Sequence, residues 1–242
     1  MKKETIFSPV NGYTKSAISI MRVSGPKTKE ILFSLCKNDI FEGKINYTEV
    51  YDLSNKIIDK CIVLYFPKPK SPTGEDLAEF QVHGSYSVLK SLEKSINTFD
   101  SVRRAEKGEF TKQAFLNNKM DLAQIEGLGD LLDSITEKQR LQAHNAFLGG
   151  VSSQINNWRR SLIDLCAIIE SLIDFSDENL PTKTTEVFSV NIKNLIAEME
   201  NALKLSEKAK RVREGLKIVI TGPPNAGKSS LINAIVNQDV SI

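Results

Sequence analysis

Along the first hundred residues, short apolar runs of strand length alternate with polar, turn-forming stretches. Residues 16–23, 47–53, 61–66 and 79–83 are such runs, and about four to eight β-branched, aromatic or alternating apolar residues between turn formers predict strands. Pro26 follows Ser24-Gly25 and precedes Ile31, Leu32 and Leu35. Proline fits the first turn of a helix, where its missing N–H would find no partner, so a helix is predicted over 26–36. Pro67, Pro69 and Pro72 then interrupt the chain ahead of Thr73-Gly74-Glu75-Asp76. Their fixed φ and absent donor predict an exposed loop that leads into the strand at Glu79. Strands and helices mixed in this way describe an α+β domain.

From about Leu122 onward glycine and proline thin out and the period changes. Leu148, Val151, Ile155, Trp158, Leu162, Leu165, Ile169 and Leu172 step by three and four, which lines them up on one face of a long helix. Asn179-Leu180-Pro181 breaks that run. Ile192, Leu195, Ile196, Met199 and Leu203 then start a second stripe, which ends in the basic stretch 208–213. Positive charge suits the C-terminal end of a helix dipole. Stripes of this kind form the core of a helical bundle or the seam of an intermolecular coiled coil.

Composition narrows the setting. At 242 residues, 40% apolar and 26% charged, the chain is long enough for one large folded domain or two ordinary ones. A formal net charge of +2 builds no global field for nucleic acid or membrane, so any RNA contact has to come from a local patch or a partner. Cys36, Cys61 and Cys166 lie far apart, with neither the CxxC spacing of a zinc site nor the even number of a disulfide framework; a reducing cytoplasm fits. Met1-Lys2-Lys3-Glu4-Thr5 leads into no apolar signal-like segment, and the longest apolar run, 61–66, is far too short for a bilayer. His83 and His144 are the only histidines and have no thiol or carboxylate at ligand spacing, which argues against a metal held by protein side chains alone.

The sharpest chemical signal follows the predicted strand 216–221: Gly222-Pro223-Pro224-Asn225-Ala226-Gly227-Lys228-Ser229 has the G-x-x-x-x-G-K-S/T spacing of a phosphate-binding loop. Glycines at both ends let successive backbone N–H groups turn toward a phosphate, and a helix starting near Lys228 points its positive end at the same place. In that arrangement Lys228 reaches the β- and γ-phosphates and the Ser229 hydroxyl ligates Mg2+. Leu231, Ile232, Ile235 and Val236 supply the amphipathic helix the motif requires. The cluster Glu75, Asp76 and Glu79 reads as a solvated loop or as a general-acid pair. Arg22, at the end of an apolar strand, reads as a surface charge or as a ligand clamp.

Several blocks together resemble the MnmE (TrmE) family of tRNA-modifying GTPases. They are the helix start Asn225-Ala226-Gly227-Lys228-Ser229-Ser230-Leu231-Ile232-Asn233; Thr73-Gly74-Glu75-Asp76 with Glu79-Phe80-Gln81 and His83-Gly84; Gly108-Glu109-Phe110-Thr111 with Ala114-Phe115-Leu116-Asn117-Asn118-Lys119-Met120-Asp121-Leu122; and Ile173-Asp174-Phe175-Ser176-Asp177-Glu178. The likeness runs through the whole chain in order. It implies an α+β folate-binding and dimerisation domain over 1–118, a helical bundle domain over 119–213, and from 214 to 242 the first strand, P-loop and helix of a Ras-like α/β G domain.

The reaction it implies is addition of a carboxymethylaminomethyl group to the wobble uridine of certain tRNAs. The partner is the flavoprotein MnmG (GidA), and the setting is a cytoplasmic homodimer with no membrane. Its cofactors are GTP, Mg2+, K+ and 5-formyl- or 5,10-methylene-tetrahydrofolate. By resemblance, Asn225, Ala226, Gly227, Lys228, Ser229 and Ser230 hold the nucleotide, Ser229 the Mg2+ and Asn225 the K+, while Arg22, Glu79 and Lys119 hold the folate. Two features depart from the family pattern. Asn11-Gly12-Tyr13-Thr14-Lys15-Ser16 stands where a glycine-rich stretch is usual, and Val82 and Ser85 replace glycines beside the His-Gly pair. Switch I, the DxxG loop, the NKxD guanine-reading motif and a C-terminal CxGK cysteine do not follow the P-loop here, so the 242 residues alone are expected to lack GTPase activity. Two other readings stay open: a folate-binding dimerisation module without catalysis, and a P-loop ATPase with helical arms.

Overall fold

The computed structural model describes residues 4–174, 182–215, 219–224 and 226–236, without the side chains of 182–186 and 236. Two compact units result: Met1–Leu128 with Phe147–Ser152, and Gly129–Ala146 with Ser153–Ile242.

In the first unit β1 (Thr5–Pro9), β2 (Ser16–Ser24), β3 (Asn46–Tyr51), β4 (Ile57–Phe66), β5 (Leu77–Gly84) and β6 (Val102–Arg104) form one sheet. The strand order is β3-β4-β5-β2-β1-β6, antiparallel throughout except for β1 beside β6. The four predicted strands are β2 to β5, with β4 beginning earlier, at Ile57. The predicted first helix is α1 (Thr28–Leu35). Strand alternation puts Met21, Val23, Phe80, Val82 and Val63 on one face, where α1 and α2 (Tyr86–Ile96) cover them with Ile31, Leu35, Leu89, Leu92 and Ile96. Each such side chain taken from water contributes about 1.5–3 kcal/mol.

Three elements carry weak sequence signals. β1 ends in Pro9, which looks like a strand breaker, but β6 pairs only with Thr5, Ile6 and Phe7, so the missing N–H removes no bond from that ladder. β6 has only three residues. α2 shows just Leu89, Leu92 and Ile96 at helical spacing among polar neighbours.

The proline-flanked segment is not the solvated loop its composition suggests. Ser71, Thr73 and Glu75 are buried. Ser24 Oγ and Thr73 Oγ1 share a hydrogen bond of 2.8 Å, and Ser71 Oγ donates to the Glu75 carbonyl. Asn117, at the end of α3 (Glu109–Leu116), donates from Nδ2 to the Thr73 carbonyl at 2.8 Å and to Glu75 Oε1 at 3.2 Å. Gly74 has φ +78°, and a Cβ there would lie 2.6 Å from Asn117 Cβ. Polar side chains that satisfy one another let the loop fold inward where composition alone favours water. Burial, with the Asp76 charge adding to it, pushes the Tyr65 hydroxyl up to about 12.

α4 (Leu122–Asp133), α5 (Glu137–Phe147), α6 (Gly150–Asp174), α7 (Thr182–Glu214) and α8 (Lys228–Val236) follow. The predicted break at 179–181 lies outside the described residues. The two apolar stripes ride on α6 and α7, yet as a bundle core they are only partly realised. Leu165 and Leu195 are buried, lining a cavity of about 290 Å3 with Asp164 and Glu198, whereas Leu162, Ile169, Ile196 and Leu203 stay 41–67% exposed. Two facing helices cover only the strip between them, and among the described residues no third long helix closes it. The end of α7 is better tied. Gln139 Nε2 donates to the Arg213 carbonyl, Gln142 Nε2 to the Ala209 carbonyl, and Arg213 Nε to Asp130 Oδ1 at 2.8 Å. The first of these amides satisfies a carbonyl that a helix terminus leaves without a partner, and Arg211 and Arg213 place the expected positive charge there.

Candidate functional site

Arg22 and Glu79 stand directly opposite each other in the β2–β5 register. The pleat turns both away from α1 and α2 onto the other face of the sheet. Arg22 Nε donates to Glu79 Oε1 at 2.9 Å, and Nη2 lies 2.7 Å from the same oxygen as an ion pair. Oε2 accepts nothing among the described residues. The Phe110 ring of α3 lies over the guanidinium, 5.5 Å from ring centre to Cζ. With side chains 33% and 14% exposed, the pair is shielded beyond an ordinary surface ion pair. Arg22 is thus a half-exposed partner of Glu79. Ile20, Ile62 and Leu64 share this face half-covered, and Ile18 and Tyr47 are 59% and 68% exposed.

Lys119, the third residue assigned to this site, is not brought against the pair. It follows α3, its N–H bonds the Ala114 carbonyl at 2.8 Å, and its side chain lines an open groove of about 420 Å3 with Phe115, Leu116, Asn118, Met120, Asp121 and Gln124.

At the phosphate loop, Gly227 has φ +80° and its carbonyl accepts from Leu231 N at 2.9 Å, so α8 begins at Lys228 as predicted. Lys228 Nζ folds back onto its own loop, donating to the Gly222 and Pro223 carbonyls at 3.0 and 2.6 Å. Ser229 and Ser230 occupy the first turn behind it. Ala226 precedes Gly227, and Asn225 lies outside the described residues. The strand predicted over 216–221 is not formed at 219–221, and 216–218 are outside the described residues. A strand's N–H and C=O groups need a neighbouring strand; among the described residues none lies beside this segment, and Val219 is 81% exposed.

The family described as GTP-binding protein TrmE N-terminus matches residues 5–119, and the MnmE helical domain matches 122–241. The tRNA modification GTPase MnmE of Beijerinckia indica subsp. indica is 43% identical over 241 residues, covering 99% of this chain and 53% of its own length. Its namesake from Rickettsia typhi is 38% identical over 241 residues, covering 99% and 54%, and that of Granulibacter bethesdensis is 40% identical over 242, covering 100% and 55%.

The chain belongs to the MnmE (TrmE) family.

It spans about half the length of the curated relatives it matches. Among the described residues, no helix is long and apolar enough to cross a membrane. Several side chains around the MnmE-type sites escape a motif search. Tyr13, in the stretch that departs from the family pattern, donates to Glu93 Oε2 beneath Lys90 and Arg104, whose cations lie 4.6 and 5.3 Å from its ring centre. Asn117 closes the loop at Glu75. Asn118-Lys119-Met120-Asp121 spells the guanine-reading pattern in letters, but Asp121 caps α4: its Oδ1 accepts from Gln124 N while Gln124 Oε1 accepts from Asp121 N. That reciprocal pair is a helix-start device. Burial pushes the Cys36 and Cys61 thiols up to about 12, so neither offers a thiolate nucleophile near neutral pH.

Proposed function

We propose that the chain serves a tRNA modification GTPase that, with the flavoprotein MnmG (GidA), adds a carboxymethylaminomethyl group to the wobble uridine of certain tRNAs in the cytoplasm. The observation that carries the reading is the joint presence of a phosphate loop opening a helix at Lys228 and a shielded Arg22–Glu79 pair on an open sheet face, in a family whose relatives are named tRNA modification GTPase. A one-carbon tetrahydrofolate would supply the carbon at the first site, and GTP with Mg2+ and K+ the hydrolysable phosphate at the second.

The residues suit both groups. A pterin presents an edge of N–H donors, and Glu79 Oε2 is an acceptor in need of one; charge-assisted bonds of this type are the strong ones. Arg22 orients the Glu79 carboxylate. Lys119, in its groove beyond α3, suits the glutamate tail. Backbone N–H groups at the start of α8 and the Lys228 ammonium suit a phosphate chain, Ser229 suits Mg2+, and Asn225 is assigned to K+ by resemblance. Lys228 leaves the Gly222 and Pro223 carbonyls as it takes up a phosphate.

The test is mass spectrometry of tRNA nucleosides in cells lacking the gene and supplied with the wild-type or the Lys228→Ala gene. Restoration of the modified wobble uridine by the wild type and its loss in Lys228→Ala supports the reading. Full restoration by Lys228→Ala contradicts a GTP-dependent role.

The half-covered apolar face bearing Ile18, Tyr47, Ile62 and Leu64 supports a homodimer formed by the first unit, and two-fold pairing is the commonest closed assembly. Light scattering at tens of micromolar is expected to give twice the 27.0 kDa chain mass; a monomer throughout that range would defeat the dimer.

A further inference from the structure

Tyr86, Lys90 and Glu93 follow one another on α2 in steps of four and three, so they share one face of the helix. Against that face lie Tyr13, from the turn between β1 and β2, and Arg104, the last residue of β6. Tyr13 donates to Glu93 Oε2, which also accepts from Lys90 Nζ at 2.8 Å. The Lys90 ammonium and the Arg104 guanidinium lie 4.6 and 5.3 Å from the centre of the Tyr13 ring, and the Tyr86 ring stands 5.6 Å from it, tilted by 56°. Tyr13 also packs on the core that α1 and α2 cover. The cluster therefore belongs to the helix side of the sheet, whereas Arg22 and Glu79 are on the other.

Pinning the turn at Tyr13 uses only part of this cluster. The Glu93 carboxylate is 16% exposed and is taken up from within by Tyr13 and Lys90. Arg103 is likewise spent, on Glu4 and Glu109. Arg104 is not. Its one ion-pair partner among the described residues, Glu93 Oε1, is 3.9 Å away, its guanidinium makes no hydrogen bond there, and its side chain is 52% exposed. Tyr86 leaves 63% of its surface to water. Two cations over one largely covered carboxylate present positive charge outward, next to an open aromatic ring. A planar guanidinium with free N–H groups suits phosphate oxygens, and an exposed ring suits the face of an unpaired base. An acidic protein surface would use the cations and leave the ring idle. With a net charge of only +2, any RNA contact has to come from a local surface of this kind.

We propose that Tyr86, Lys90 and Arg104 form a contact surface for the tRNA, Arg104 and Lys90 meeting backbone phosphates and Tyr86 stacking on an unpaired base of a loop. This rests on the tRNA reading above and adds to it a surface apart from the phosphate loop and the Arg22–Glu79 pair. Tyr13 and Glu93 are its positioning residues: the Tyr13 ring carries both cations, and Glu93 holds Lys90 in place. Tyr13 lies in the stretch Asn11-Gly12-Tyr13-Thr14-Lys15-Ser16 that departs from the family pattern, so the family's motifs do not announce the surface.

Fluorescence anisotropy of a labelled tRNA anticodon stem-loop, and of a fully paired RNA of equal length, tests this with wild type, Tyr86→Ala, Tyr86→Phe and Arg104→Gln. Both side chains are more than half exposed, so the variants are expected to melt with the wild type. Tyr86→Ala is expected to weaken the stem-loop about tenfold, the scale of one lost base stack, and to leave the paired RNA unchanged, while Tyr86→Phe keeps the ring and the affinity. Arg104→Gln is expected to weaken both RNAs and to lower the slope of log affinity against log salt by roughly 0.7 to 0.9, one phosphate contact. Stem-loop binding by Tyr86→Ala within twofold of wild type overturns the proposal, and so does an unchanged salt slope in Arg104→Gln. Equal losses for the two RNAs in Tyr86→Ala, or a loss in Tyr86→Phe as large as in Tyr86→Ala, rule out a base stack and overturn it too. A folded wild type that binds neither RNA overturns this surface alone, because the nucleoside analysis with Lys228→Ala decides the modification reading separately.

Discussion

Gly25→Ala is expected to destabilise the first unit by about 4 kcal/mol, combining backbone strain of about 1–3 kcal/mol with overpacking of similar size. Gly25 has φ +137°, and a Cβ there would stand 2.6 Å from Thr5 Cα, 2.8 Å from the Glu4 carbonyl oxygen and 2.8 Å from Thr5 Oγ1. These are atoms of β1 and the residue before it, and β1 is paired on both sides, so the neighbour cannot yield as a flexible side chain would. The same residue anchors the turn into α1: its N–H bonds the Asp76 carbonyl at 2.9 Å and its carbonyl accepts from Thr28 N at 3.1 Å. Gly12→Ala is the control, because Gly12 has φ +67° but nothing within 4 Å of a built Cβ, and about 1 kcal/mol is expected there. Thermal or urea melts of the two variants measure the difference. Equal, small losses in both would show that the approach of β1 to Gly25 is not as tight as described.

The sequence revealed those parts of the fold whose signal is local. β2 to β5 and α1 each carry an apolar run or stripe bounded by turn formers, and these survive translation into three dimensions because burial of one face decides them. β1, β6 and α2 are decided by their neighbours. Pro9 is tolerated only because β6 stops short of it, and β6 is a strand only because β1 offers a parallel edge. The loop at Thr73-Gly74-Glu75 shows the same limit. Serine, threonine and glutamate read as solvent-facing, yet Ser24 and Asn117, distant in sequence, satisfy Thr73 and Glu75 inside.

At the site, Arg22 and Glu79 are brought into register by the sheet, a fact no spacing rule contains, since 57 residues separate them. Lys119, from the same resemblance, falls in a separate groove, because a motif fixes residue identity and leaves side-chain direction to packing. The bundle stripes of α6 and α7 follow the predicted spacing, but spacing says which face is apolar and not what covers it.

Glu79→Ala is expected to weaken 5-formyltetrahydrofolate by about thirtyfold, on the order of 2 kcal/mol. Two losses add. The ligand's N–H edge forfeits a charge-assisted acceptor, worth roughly twice a neutral one. The Arg22 guanidinium, 33% exposed beneath Phe110, also loses the carboxylate that positions it, and a half-buried charge left without its partner is costly. Glu79→Gln separates the two, since an amide of the same shape keeps an acceptor oxygen and gives up the charge; an intermediate loss is expected. Isothermal titration calorimetry of 5-formyltetrahydrofolate into wild type and Glu79→Ala is the decisive measurement. Binding by the wild type with a drop of about thirtyfold in Glu79→Ala is the predicted result; equal affinities in two folded proteins, or no binding to a folded wild type, would contradict a folate site built on Arg22 and Glu79.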